Sequence, residues 1–238
     1  MADLTIQLAG ETVHLLPERA LYWPRRKTVF VADLHLGKAA TFRAAAIPIP
    51  SGTTQSDLFR LSQLLKRTQA ERLVILGDLI HARTGRSNQV LDAVTAWRGQ
   101  TADLTIQLVL GNHDEGAGSP PESWGIEVIE GDWQEPPFVG CHYPHVHPAG
   151  HVLAGHLHPM IRLRGQGDQS ARLPCFQCQE QVTVLPAFSS FVGGVGIQPG
   201  EHDRIYGIVG ETVFACEFRE PRASRSRRSP SSARKSSA

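Results

Sequence analysis

Five times in the first two-thirds of this 238-residue chain, an apolar run stops at a short cluster of Asp, Asn or His. Residues 28–32 end at Asp33-Leu34-His35, residues 72–76 at Gly77-Asp78, and residues 104–110 at Gly111-Asn112-His113-Asp114. Residues 137–141 end at His142, and residues 152–154 at Gly155-His156-Leu157-His158. Short runs rich in Val, Ile and Leu and bounded by Gly read as buried strands, so each cluster falls in a loop at a strand end. In an open α/β sheet, ligands collect at that edge. Two amphipathic helices separate the first three strands. One runs to Thr68 with Thr54 or Ser56 as its cap and Leu58, Leu61, Leu64 and Leu65 on one face; the other follows Ser87, with Val90, Val94 and Trp97 on one side. Strand, helix, strand, helix, strand is a parallel βαβαβ unit. Residues 37–50 read as irregular because of Pro48 and Pro50.

The donors at these strand ends are oxygen and imidazole nitrogen, with no thiolate. That set suits Mn, Fe or Zn rather than an iron–sulfur cluster or a structural zinc knuckle. After Gly125 the chain carries short strand-like runs with little helix between them, which points to a second sheet stacked on the first. The N-terminal runs at residues 5–8 and 12–15 read as a hairpin turning at Gly10. Residues 219–238 hold seven basic residues against one acidic, leaving 17 basic and 22 acidic residues in the rest. The expected organisation is a single domain over residues 1–218 and a disordered, basic Ser/Arg-rich tail over 219–238. No apolar run reaches eighteen residues, and the first residues lack a basic start followed by an apolar stretch, so neither a membrane span nor an export signal is expected. The four cysteines are expected to be reduced thiols in a cytoplasmic protein.

The order D-x-H, G-D, G-N-H-D, H, G-H-x-H over residues 29–159 resembles the calcineurin-like metallophosphoesterase superfamily. Outer segments narrow the resemblance: residues 15–23, 31–43, 173–176 and 185–188 resemble a bacterial branch, the ligase-associated DNA damage response phosphoesterases. That branch implies a two-sheet α/β/β/α sandwich, two divalent metal ions, DNA as substrate, and association with an ATP-dependent DNA ligase and a helicase.

A phosphodiester resists attack because its charge repels nucleophiles and its leaving alkoxide is poor; two metals about 3.5–4 Å apart relieve both difficulties. A carboxylate is the best bridge between them, and Asp78 ends the central strand. The resemblance implies that Asp33, His35 and His158 hold one metal and Asn112, His142 and His156 the other, with Mn the expected ion and Fe or Zn as alternatives. His113 is the expected acid or charge stabiliser at the leaving oxygen, with Asp114 orienting its ring; the alternative is that His113 only caps its loop. His81 either contacts substrate phosphate or supports His35. Lys38, Arg43 and Arg83, with Arg86 beyond them, are candidates for binding phosphate, set against the plainer reading of solvated loop charge. His145, His147 and His151 are set aside as ligands in favour of His142, which directly follows a rigid strand.

The residues point to phosphoester hydrolysis, and the resemblance implies a Mn-dependent phosphodiesterase that cuts DNA internally, on single-stranded or unpaired regions, in repair. Two other readings are a phosphodiesterase or phosphatase for a small molecule or phosphoprotein, and a non-catalytic scaffold. No long insert separates the motifs, which favours an open cleft and a polymer. Retention of every ligand position and of His113 argues against the scaffold.

Overall fold

The computed structural model describes residues 1–50, 52–164 and 169–217; the expected basic tail lies outside these residues. The first sheet has the spatial order β1 (Leu4–Leu8), β2 (Glu11–Leu16), β3 (Ala20–Trp23), β4 (Thr28–Val31), β5 (Arg72–Leu76), β6 (Thr105–Val109) and β7 (Ile126–Ile129). Strands β1 to β4 pair antiparallel and β4 to β7 parallel. The N-terminal hairpin turns at Gly10, whose φ of 81° an L side chain rarely adopts. Between the parallel strands run α1 (Lys38–Ala44), α2 (Thr53–Thr68), α3 (Asn88–Gln100) and α4 (Asn112–Ala117).

The second sheet comprises β8 (Trp133–Glu135), β9 (Phe138–Cys141), β10 (His151–Ala154), β11 (Pro159–Arg164), β12 (Ser170–Cys178), β13 (Val182–Val184), β14 (Val195–Gly196), β15 (Arg204–Val209) and β16 (Thr212–Cys216). At its centre β10 lies parallel to both β9 and β13. The two-sheet α/β sandwich expected from the sequence is therefore present. Its helices all come from the first half: among the described residues no helix follows Trp124, so no later element forms a helical layer over the second sheet.

Period-two alternation explains the layering. Val29, Val31, Leu73 and Ile75 face the helices and meet Leu58, Leu61, Leu64, Val94 and Trp97. Phe30, Val74 and Leu76 point the other way and meet Phe138, Leu153, Phe176 and Leu185 of the second sheet. Edge-to-face pairs Trp23–Phe138 and Phe30–Trp133, with centroids 4.9 and 5.2 Å apart, join the sheets. Each fully buried side chain of this kind stabilises the fold by roughly 1.5–3 kcal/mol.

Three local expectations need correction. Residues 38–44 are helical rather than irregular, because Pro48 and Pro50 lie beyond the helix and constrain only what immediately precedes them. The strand Ile126–Ile129 extends the first sheet rather than joining the second. Helix α2 starts after Gly52 without a side-chain cap; Thr54 Oγ1 instead accepts from Gly37 N at 3.3 Å, which ties α2 to the loop before α1. Ser87 caps α3 as expected, accepting from Val90 N.

Candidate metal centre

Parallel strands β4, β5 and β6 end side by side, which brings Asp33, Asp78 and Asn112 to one edge of the first sheet. Strands β9 and β10 end opposite them at His142 and His156. The loops interlock through the main chain: Asp33 N donates to Gly77 O, His35 N to Asp78 O, and Gly155 N to His142 O. Asp33, His35, Asp78 and His142 are buried, whereas His113, His156 and His158 are partly exposed and Asn112 is exposed. The cluster thus has a rigid floor and an open top.

All seven expected ligand positions come together in two groups. In the first, His35 Nε2 lies 3.5 Å from His158 Nε2, and His158 Nε2 lies 3.4 Å from Asp33 Oδ1. In the second, His142 Nε2 lies 3.0 Å from Asn112 Oδ1 and 3.1 Å from His156 Nδ1. Asp78 stands between them, Oδ2 at 3.6 Å from His35 Nε2 and Oδ1 at 3.7 Å from His142 Nε2. Ligand atoms about 2.1 Å from a shared ion sit roughly 3–3.5 Å apart, so these spacings fit divalent cations. The charges fit as well: two buried carboxylates face imidazoles rather than Arg side chains, and a cation between them would supply the missing positive charge.

Backbone hydrogen bonds set the tautomers. His142 Nδ1 donates to Leu76 O at 3.1 Å and His158 Nδ1 to Gly193 O at 3.1 Å, leaving each Nε2 to face the cluster. Burial, and then the nearby Lys38 charge, pushes His35 down to about 2, so its imidazole is neutral. Burial, and then the charge of His142, lowers His156. Burial also disfavours the charged form of His158, but the hydrogen bond and charge of Asp33 outweigh it and raise that group. Burial raises Asp78 against the opposing charge of His142.

The backbone is strained where the cluster forms. Among the described residues ten non-glycine residues have positive φ, and five of them are Asp33, His35, Asp78, His156 and His158. Such conformations cost about 1–3 kcal/mol each and concentrate at functional sites. Close approach explains two glycines of the motifs. A Cβ on Gly77, at φ 84°, would sit 2.1 Å from His142 Nδ1, and one on Gly111 would sit 2.2 Å from Asp78 Oδ1.

The remaining expected site residues divide. His113 Nδ1 donates to the His81 carbonyl oxygen at 2.7 Å, and its ring stacks on that of His81 with centroids 4.6 Å apart. Asp114 does not orient it. The Asp114 carboxylate accepts from Gly111 N at 3.0 Å and Ile80 N at 3.1 Å, because an acid at the third position of a helix reaches back to the free amide at the helix start. His81 Nδ1 lies 3.3 Å from His35 Nδ1, and burial, followed by the Lys38 charge, lowers it to about 4. Lys38 starts α1 close enough to Asp78 and Asp33 for their charges to oppose its desolvation. Arg43 donates to Pro50 O at 3.2 Å, and Arg83 is exposed in the turn after His81. Arg86 is committed to the carbonyls of Ala117, Gly118 and Ser119 at the end of α4.

The sequence offers residues 188–194 as a segment that approaches the cleft or forms a tight turn, but it shows neither the place of Tyr143 nor what holds that segment. Tyr143, exposed beside the cluster, has its ring centroid 4.5 Å from that of His156; its position right after His142 was the only signal. The loop carrying Gly193 is held by distant residues. Arg19 donates to the carbonyls of Ala187 and Ser189, Arg60 donates to that of Phe188, and Asp57 accepts from Ser189 and Ser190.

Two packed sheets with a strand-end cluster of Asp, Asn and His define a metal-dependent phosphoesterase. The chain is similar to the crystal structure of the nuclease MPE of Pseudomonas putida, with TM-score 0.78 and 42% identity over 86% of this chain and 96% of that one. On that similarity it belongs to the metallophosphoesterase-type family. Weaker likenesses, both at TM-score 0.37, are to AQ665 of Aquifex aeolicus, a protein of unknown function, and to the E. coli phosphoesterase Yfce. The first is 18% identical over 59% of this chain and 82% of that one, the second 15% over 78% and 90%; neither supports any inference. No family model matches the chain, and no curated protein matches it. Among the described residues no helix is long and apolar enough to cross a membrane.

Proposed function

We propose that this enzyme is a dinuclear, Mn-dependent phosphodiesterase that cuts single-stranded DNA internally, in the ligase-associated repair branch. The observation that carries the reading is the placement of Asp78 between two ligand groups, one oxygen toward each. Asp33, His35 and His158 would hold one ion, Asn112, His142 and His156 the other, with Asp78 shared. When bound, the ions neutralise phosphate charge and lower the pKa of water.

The chain's own side chains do the rest. His113, its Nδ1–H anchored on His81 O, would in its doubly protonated form give the Nε2 proton to the leaving oxygen and be left as the neutral imidazole. His81 holds both the ring of His113, by stacking, and His35, through its own ring nitrogen. Asp114 acts one step back, fixing the loop start that presents Asn112 and His113. Lys38 contributes positive charge at the mouth, where it favours a phosphate. The partly exposed imidazoles leave space for a polymer to pass, which supports DNA over an enclosed small substrate. The 42% identity to a nuclease supports the same reading. Cooperation with an ATP-dependent ligase and a helicase rests on the branch-specific segments alone.

Covalently closed single-stranded DNA circles incubated with the protein and Mn test this. Conversion to linear and shorter strands, abolished by a chelator, can only come from internal cleavage. Intact circles, from protein that still hydrolyses a generic phosphodiester, would replace DNA with a small-molecule substrate.

A further inference from the structure

A second set of ligating side chains flanks His142 in the sequence. Cys141, His145 and Asp132 each present one donor atom, and the three lie within 4.8 Å of one another. His145 Nε2 is 3.3 Å from Asp132 Oδ2. The Tyr143 carbonyl oxygen lies 3.0 Å from His145 Nδ1 and 3.0 Å from Cys141 Sγ. A carbonyl oxygen only accepts, so the His145 proton sits on Nδ1. With Nδ1 so occupied, Nε2 is the nitrogen that faces the Asp132 carboxylate and is free to take a metal in place of a proton. Proteins orient metal-binding imidazoles in this way, through a backbone carbonyl on the other nitrogen.

Burial gives the set the form of a binding site. Cys141 is buried in β9, Asp132 is partly exposed, and the His145 side chain is 47% exposed. A cavity of about 320 Å³ adjoins them, lined in part by Leu110, Val128, Ile129 and Tyr143, with room for a water as fourth ligand. Donor atoms around a tetrahedral zinc lie roughly 3.3–3.8 Å apart, and the His145–Asp132 spacing already has that value.

We propose that Cys141, His145 and Asp132 bind one further divalent cation of the zinc class, separate from the seven-residue cluster. The sulfur ligand makes this site prefer zinc or cobalt, whereas the oxygen–imidazole cluster accepts Mn. As the metal–sulfur bond forms, the Cys141 thiol proton passes to solvent. The ion links the turn before β8 to the loop after β9, and so fixes the strand end from which His142 projects.

Titration of the metal-stripped full chain with cobalt(II) tests the proposal. A sulfur-to-cobalt charge-transfer band requires thiolate ligation, and the seven-residue cluster contains no sulfur. The expected result is a saturable band whose final amplitude corresponds to one thiolate-bound cobalt per chain, whatever further cobalt enters the oxygen–imidazole cluster, and which zinc bleaches. It should vanish in Cys141→Ser and persist in Cys178→Ser and Asp78→Ala. In His145→Ala, whose exposed side chain leaves folding intact, cobalt should bind at least about tenfold more weakly, since losing a ligand costs no less than losing a ligand's hydrogen-bond partner. Absence of the band in the natural protein, its survival in Cys141→Ser, or unchanged affinity in His145→Ala would overturn the proposal; the close Asp132–His145 contact would then be a plain ion pair.

Discussion

Gly111→Ala perturbs the cluster at Asp78, the residue that stands between its two groups of ligands. Gly111 has φ −104°, which any residue adopts, so the added methyl brings no backbone strain. It does bring a collision: the new Cβ would lie 2.2 Å from Asp78 Oδ1 and 2.6 Å from Asp78 N. Carbon needs about 3.4 Å or more from oxygen or nitrogen, so the carboxylate must retreat by roughly 1 Å and the main chain of Asp78 must shift with it, which also lowers the melting temperature. Metal sites tolerate about 0.2 Å, and a displacement of 1 Å in a catalytic constellation costs on the order of 10²-fold in rate. The variant should therefore lose bound metal and at least about 10²-fold of its Mn-dependent phosphodiesterase activity. Gly99→Ala is the control. It lies in α3 with nothing within 4 Å of the new Cβ, so it should keep full activity and gain about 0.5–1 kcal/mol of stability. The assays are bound metal by elemental analysis, hydrolysis of a chromogenic phosphodiester, and thermal melting. A Gly111→Ala protein with normal metal content and rate would refute the argument, because Asp78 would then not be confined where the geometry puts it.

Three further outcomes are expected. His113→Ala should retain its metals while turnover falls roughly 10²–10⁴-fold, the scale for losing a general acid; loss of metal instead would make it a ligand. Tyr143→Ala should weaken binding of single-stranded DNA by about 1–3 kcal/mol, the value of one base stacked on an aromatic ring, and leave kcat on a small phosphodiester unchanged. His151 is buried on Thr183 Oγ1, and burial lowers it from 6.5 to about 4. The unfolded chain therefore takes up this proton first: above pH 6.5 the group has no effect, and stability falls as pH drops from 6.5 toward 4. The slope from this group is at most about 1.4 kcal/mol per pH unit, and His151→Gln should flatten denaturation midpoints over that window.

The parallel strands and their polar ends were legible because both signals are local. An apolar run of four or five residues dictates a buried strand, and a cluster of Asp, Asn and His that stops it falls at the sheet edge. What joins distant segments was not legible. Asp114 was expected to serve His113, yet its carboxylate serves the amides of Gly111 and Ile80, a choice made by where a short helix begins. The segment around Arg19 and the one around Phe188 could be singled out in the sequence, but not their contact across more than 160 residues of chain, nor that it supports the carbonyl holding His158. Helix α1 escaped notice because the prolines that follow it were given too long a reach. Tyr143 carries no sequence signal beyond its neighbour His142.

The central claim is that the seven side chains hold two ions through a shared Asp78. Metal counting tests it most directly: equilibrate the natural chain and Asp78→Ala with Mn, remove free metal, and determine ions per chain alongside activity. The account predicts two ions and full activity for the natural chain, and loss of the two-ion state together with activity for Asp78→Ala. Two ions retained in an inactive Asp78→Ala protein, or one ion in a fully active natural chain, would contradict it.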